Sequence, residues 1–290
     1  MRFPMVQPVT DMTRASLGDR LAPGVDEYLD MFHEDAVFEF PFGMGGGVRK
    51  EGKSAMADFL AEIAGSTIFY RFDLKEAHPI NAGGMVLEYH ARASAGESKT
   101  PFEQDYVAVA QTHGGRIGLY REYLDPLNIP GVIAKAASTP LDDTPLDGPT
   151  TDLEAMLKGA LGDQLNLAGN SFLDLFAENA VLECPFAPPG AMRRLQGKDA
   201  ISAYYERLTA VQKSDGMVQT GHYPAEDKHM ALLEYEGLVR DARDGDVYRQ
   251  KYLAIAKAES GRLTLFREYW NPLPVLAAFG PGGPAPMARR

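Results

Sequence analysis

Eleven residues near the start of the chain come back almost unchanged in its second half. Phe32–Phe42 reads FHEDAVFEFPF and Phe176–Phe186 reads FAENAVLECPF, seven identities in eleven at an offset of 144. Gly52-Lys53-Ser54-Ala55 returns as Gly197-Lys198-Asp199-Ala200, and Leu87-Glu88-Tyr89 as Leu233-Glu234-Tyr235. RIGLYREYLDPL at 116–127 returns as RLTLFREYWNPL at 262–273, now offset by 146. Four blocks in one order with an offset drifting by two residues mark a tandem duplication, so whatever the chain folds into, it folds into it twice. The 290 residues are enough for two copies with proper cores.

The elements of each copy follow from pattern. Val25–Phe32 and Leu153–Phe176 read as a first helix, the latter with apolar residues three and four apart. A short strand ends at Pro41 or Pro185. A second helix follows the Gly-Lys turn, over Ser54–Ala64 and Asp199–Val211, with Ser54 and Asp199 as expected N-caps. Period-two alternation then predicts strands. In the first copy they cover 68–79, 85–93, 102–110 and 117–124, and in the second 217–224, 231–240, 248–256 and 263–270. Helices followed by a run of antiparallel strands predict an α+β fold, with helices on one face of a curved sheet. The domains are expected at 10–137 and 151–280, joined by a Pro/Asp/Thr-rich linker at 138–150 and followed by a disordered Gly/Pro tail at 281–290.

Composition removes whole classes of function. A net charge of −11 leaves no basic footprint for phosphates, so neither nucleic acid nor an anionic membrane surface is an expected partner. A single cysteine, Cys184, excludes an internal disulfide and a Cys-rich zinc site. No H-x-x-x-H or H-E-x-x-H spacing occurs, and no metal site is expected. GMGGG at 43–47 lacks both the spacing and the context of a dinucleotide fingerprint and reads as a pocket-rim loop or lid. No segment is a secretory signal or a membrane span, which together with the lone cysteine predicts a cytoplasmic location.

The blocks F-x-E-D/N-A-V-x-E-x-P-F, G-K-x-A, L-E-Y and R-E-Y-x-D/N-P resemble the nuclear transport factor 2-like superfamily over roughly 25–137 and 155–280. Its members include ketosteroid isomerases, SnoaL-like polyketide cyclases, epoxide-hydrolase-like enzymes and phenazine-biosynthesis proteins. The resemblance implies two tandem cone-shaped α+β barrels, each with a deep apolar pocket and no cofactor. It also implies sheet-to-sheet pairing of the halves as an intrachain pseudo-dimer, free to associate further as a homo-oligomer. The acidic residue of R-E-Y, Glu122 or Glu268, matches a cavity-facing proton-transfer residue of phenazine-type and epoxide-hydrolase-type relatives. The alternative for it is a structural ion pair with the neighbouring Arg121 or Arg267, or with an arginine across the sheet.

Departures from the pattern narrow the chemistry. Phe40 and Cys184 occupy the place of the ketosteroid isomerase general-base aspartate, so steroid-type isomerisation is not expected. Glu39 and Glu183, one residue earlier, should face the other side of the strand. Ala91 and Gly237 replace an aspartate of the epoxide-hydrolase triad. Cys184 reads as a buried apolar residue rather than a nucleophile. The first copy is richer in polar strand residues. Its candidates are Glu122, Tyr89, His90 and Asp105 as catalytic groups, with Glu268 from the second copy. Tyr106, Arg71, Phe40, Gln104 and Tyr235 are the candidates for substrate binding. His78 and His222 stand out as histidines near equivalent strand ends.

These residues suit general acid–base chemistry on a small apolar, aromatic or phenolic substrate without a cofactor. Tandem copies of the fold resemble the cofactor-free lyases that sphingomonad-type bacteria use on lignin-derived aryl-propane dimers. That likeness places a dehydrating or retro-aldol lyase first, a SnoaL-like cyclase or isomerase second, and a non-catalytic binding protein third.

Overall fold

The computed structural model describes residues 7–43, 47–81, 83–129, 140–166, 169 and 171–280. The chain divides into two compact units, Met1–Ile129 and Pro130–Arg290. The expected tail at 281–290 and the centre of the GMGGG loop lie outside the described residues.

The first unit runs α1 (Gln7–Leu17), β1 (Phe32–Phe40), β2 (Val48–Glu51), α2 (Lys53–Ser66), β3 (Thr67–Pro79), β4 (Gly84–Ala95), β5 (Thr100–His113) and β6 (Arg116–Leu124). The second repeats the order with α3 (Leu153–Leu161), β7 (Phe176–Glu183), β8 (Arg194–Gln196), α4 (Lys198–Val211), β9 (Gln212–His222), β10 (Met230–Asp241), β11 (Val247–Glu259) and β12 (Arg262–Trp270), then adds α5 (Pro272–Phe279). Each unit holds one six-stranded sheet, ordered β2-β1-β6-β5-β4-β3 and β8-β7-β12-β11-β10-β9. The chain thus carries one α+β fold twice.

Several local expectations are corrected. Val25–Phe32 is not a helix: a 3-10 turn at Tyr28–Met31 leads straight into β1, and the first helix lies earlier, at Gln7–Leu17. The long helix expected over 153–176 stops at Leu161, and 3-10 turns carry the chain into β7. Neither Ser54 nor Asp199 is an N-cap. The helices start one residue before each, at Lys53 and Lys198, from Gly52 and Gly197 with φ of 82° and 92°, a region that favours glycine. The sheets are mixed rather than wholly antiparallel. β1 runs parallel to β6 and β7 to β12, while the other pairs are antiparallel.

Strand alternation sends one face of each sheet to the core. In the first unit that face joins Tyr89, Ala91, Ala108, Ala110 and Tyr120 to Met12 and Leu17 of α1 and to Met56 and Leu60 of α2. In the second, Leu233, Tyr235, Ala254 and Phe266 meet Met156 and Leu161 of α3 and Ile201 and Tyr204 of α4. The stretch 140–150 has no helix or strand and is tied to the second unit, where the Arg249 amide donates to the Asp142 carbonyl at 2.6 Å.

Candidate functional site

Cross-strand register fixes which side chains share the inner face of the first unit. Leu87 faces Ala108 and Tyr89 faces Tyr106 across β4–β5, and Glu122 faces Ala108 while Tyr120 faces Ala110 across β5–β6. Small side chains at Ala108, Ala110 and Ala91 make room for the large polar ones beside them. Glu122, Tyr89, Tyr120 and Tyr106 are all buried.

Glu122 accepts hydrogen bonds from the hydroxyls of Tyr89 and Tyr120, which lie 3.1 Å from each other. Tyr120 is in turn bonded to Tyr28 from the turn before β1. Burial pushes the Glu122 carboxyl up to about 7 although both phenols favour its ionised form. The tyrosines move far upward for the same reason, helped by the Glu122 charge, so they remain neutral donors. Tyr106 stacks on Tyr89 with ring centres 5.1 Å apart, and Phe72 closes the other side at 5.9 Å.

The second unit repeats this arrangement with fewer donors. Tyr235 donates to Glu268, Tyr252 stacks on Tyr235 at 4.7 Å, and burial raises Glu268 to about 7. Phe266 stands where Tyr120 stands and Phe172 where Tyr28 stands, so the phenol chain is missing. Cys184, in the place of Phe40, is buried; burial raises its thiol strongly, and the Trp270 indole donates to it. It sits as a buried free thiol in the core of the second unit.

The neighbouring Arg121, one partner in the structural alternative for Glu122, projects from the opposite face and pairs with Glu39, which also binds Arg49. The side-chain partners of Glu122 itself are the Tyr89 and Tyr120 hydroxyls. Arg267 and Arg194 hold Glu183 in the same way. These pairs tie the parallel strands together and leave both R-E-Y carboxylates to the core.

His90 and Asp105, grouped with Glu122 from sequence, do not join it. Consecutive residues of a strand face opposite sides, so Tyr89 inward means His90 outward. There His90 Nδ1 donates to Asp105 Oδ1 at 2.7 Å and Lys75 Nζ donates to the same oxygen at 2.6 Å. Burial alone would raise Asp105, but the bonds from Lys75 and His90 outweigh it and hold the carboxyl below its ordinary value. The second copy carries the inverted pattern, Glu236 held by Arg249 at 2.5 Å and Lys251 at 3.8 Å. At this register position the two copies each keep a cross-strand ion pair, with the signs exchanged.

Arg71 is exposed, binds Asp73 at 2.6 Å and lines a groove of about 420 Å³ between α1 and β3, whose floor includes Phe72. Phe40 packs between Phe38 and Phe59 at ring distances of 5.1 and 5.6 Å. Gln104 is buried beside Tyr106 on the inner face. Its Nε2 donates to the Asp125 carbonyl at 2.8 Å, which fixes the amide orientation and leaves Oε1 without a partner among the described residues. Gln250 repeats this with the Asn271 carbonyl. His222 is not the counterpart of His78: it faces Leu233, whereas His78 faces Val86, so Tyr223 takes the equivalent place. Sequence reasoning missed Tyr120 and Tyr28. The signal for Tyr120 was its position two residues before Glu122 on one strand.

No protein-family model matches the chain. An uncharacterized Bacillus subtilis protein, YesE, is 34% identical over 110 residues, 38% of this chain and 75% of the relative. An uncharacterized PhzA/B-like protein of Pseudomonas aeruginosa is 33% identical over 107 residues, 37% of this chain and 75% of the relative. Through the Pseudomonas relative the chain belongs with the PhzA/B-like proteins, of the nuclear transport factor 2-like superfamily that its repeated blocks resemble. Among solved superfamily structures, that of a candidate isomerase from Bacillus subtilis is 31% identical, covering 44% of this chain and 91% of its own, with a TM-score of 0.38. Each of these matches is one copy long; this superfamily member carries two. No helix among the described residues is long and apolar enough to cross a membrane.

Proposed function

We propose that the chain is a cofactor-independent enzyme in which Glu122 shuttles a proton on a small hydroxylated aromatic substrate, with elimination as the reaction. The observation that carries this reading is the Glu122 carboxyl, raised to about 7 and held between the Tyr89 and Tyr120 hydroxyls in an aromatic interior. A carboxyl that titrates near neutrality takes and returns a proton with little energetic mismatch. Two neutral phenols fix its orientation and supply donors for an oxygen that gains charge. Tyr106 and Phe72 give Tyr89 and the carboxyl beside it an aromatic setting, and Gln104 Oε1 offers a buried acceptor for a substrate hydroxyl.

In the elimination, ionised Glu122 removes a proton from a substrate carbon. The electron pair closes a double bond and expels hydroxide from the neighbouring carbon. Protonated Glu122 returns its proton to that hydroxide, so water leaves and the carboxylate is restored. Return of the proton to another carbon instead gives an isomerisation, the reading that the name of the Bacillus subtilis structure suggests for that protein.

The test is a panel of phenolic β-hydroxy aryl substrates followed by chromatography and mass spectrometry. Loss of water in the wild type and its collapse in Glu122→Gln support the proposal. Turnover that survives this substitution sinks it.

A further inference from the structure

On the outer face of the first sheet, β3 and β4 bring together three metal-ligating side chains that no local spacing joins. Glu76 faces Glu88 across the two strands, and His78 stands two residues beyond Glu76 on the same side. A register shift between Leu74 and Glu76 sets that alignment, as bulges commonly re-aim side chains. One donor atom from each residue lies within 4.8 Å of the other two. His78 Nε2 is 2.7 Å from Glu88 Oε1 and 3.7 Å from Glu76 Oε2. The His78 and Glu88 side chains are 5% exposed and that of Glu76 is 40% exposed, so the cluster is buried with one carboxylate at its rim.

The second copy shows what the same place looks like without this donor set. Glu234 keeps the position of Glu88 and is buried, but Gly221 faces it where Glu76 stands and Tyr223 replaces His78. A Cβ on Gly221 would come within 2.8 Å of Glu234 Oε2 and 3.1 Å of the Tyr223 hydroxyl, so phenol and carboxylate close the space. Two of three donors therefore differ between the copies although Leu87-Glu88-Tyr89 returns as Leu233-Glu234-Tyr235, and at this place among the described residues only the first copy gathers an imidazole with two carboxylates.

We infer that Glu76, His78 and Glu88 form a binding site for a divalent transition-metal ion. One nitrogen and two oxygen donors suit zinc or manganese, and donors of a shared ion stand about 3–4 Å apart, the spacing that small rotamer changes give here. The ion would join a buried carboxylate and a rim carboxylate to the imidazole and staple β3 to β4. It is separate from the Glu122 site, because alternation along β4 turns Glu88 and Tyr89 to opposite faces.

The experiment is calorimetric titration of the full chain with ZnCl₂ after EDTA stripping, with Co²⁺ absorption as a spectroscopic readout. The expected result is one Zn²⁺ per chain with a Kd of about 1 μM or tighter. Glu76→Gln and His78→Gln should each weaken it at least tenfold, while Tyr223→Phe leaves it unchanged. Zinc should raise the Tm of the wild type and not that of His78→Gln. Should His78→Gln fail to fold, Glu76→Gln at the rim keeps the test decisive. Absence of saturable one-to-one binding, wild-type affinity in both variants, or loss of binding on changing His113 of the stacked His33–His113 pair would overturn the inference.

Discussion

The two copies have kept the same carboxylate and changed what surrounds it. Glu122 and Glu268 occupy one register position, each beside a tyrosine that donates to it and a second tyrosine stacked on the first. Around that shared nucleus the first copy has Tyr120, Tyr28 and Phe40 where the second has Phe266, Phe172 and Cys184. The ion pairs between the parallel strands are the same in both, Glu39 with Arg121 and Glu183 with Arg267. Retention of the ion pairs marks them as part of the fold. The phenols do not share that retention, and on the proposed function the first copy has the better equipped acid.

The largest expected effect breaks the symmetry directly. Glu122→Gln should lower turnover about 10²–10⁴-fold, the usual weight of a positioned acid–base group, while Glu268→Gln should leave it within about threefold. Steady-state rates on one substrate, measured for both variants, check the contrast.

Next in size is a pH effect on stability that both copies share. A carboxyl raised from 4.5 to about 7 holds more protons in the folded than in the unfolded chain between those values. Each site therefore adds stability below about pH 4.5 that is lost as pH rises toward 7, on the order of 3 kcal/mol. Urea unfolding at about pH 5 and pH 8 should show this loss, and Glu122→Gln or Glu268→Gln should each remove its share.

Exchanging the phenol sharpens the comparison further. Tyr120→Phe gives the first copy the donor set of the second. It removes a bond that favours the ionised carboxyl, so the pH–rate inflection of Glu122 should move upward and turnover fall about tenfold. Phe266→Tyr should move Glu268 the opposite way, which carboxyl titration by NMR would show.

The smallest effect concerns the outer face. His90→Gln breaks a partly exposed pair and should cost about 0–1 kcal/mol with no change in rate. A large rate loss would return His90 to the catalytic group.

The repeated blocks, the alternation of β4 and β5 and the Gly-Lys turns made the duplicated α+β fold legible, because these are local patterns. Pairing of β1 with β6 was not legible, since nothing in either strand states its direction or partner. Gln7–Leu17 was overlooked as a helix because it precedes the repeated blocks, and its apolar positions acquire a meaning only against β3 and β4. Glu122, Tyr89 and Tyr106 could be grouped from the sequence, and strict alternation would already have separated His90 from Tyr89. Glu76, His78 and Glu88 could not be grouped, since their meeting depends on a register shift between two strands.

In each unit the first strand lies beside the last. Glu39 meets Arg121 82 residues later, and Glu183 meets Arg267 84 residues later. On the ribosome, therefore, β1 has no neighbour on that side until β6 has emerged, and the carboxylate site cannot exist before the same moment, because Glu122 arrives on that very strand. Each copy completes its sheet and its acid in one late step. A chain released before β6 would lack the strand between β1 and β5 and, with it, Glu122.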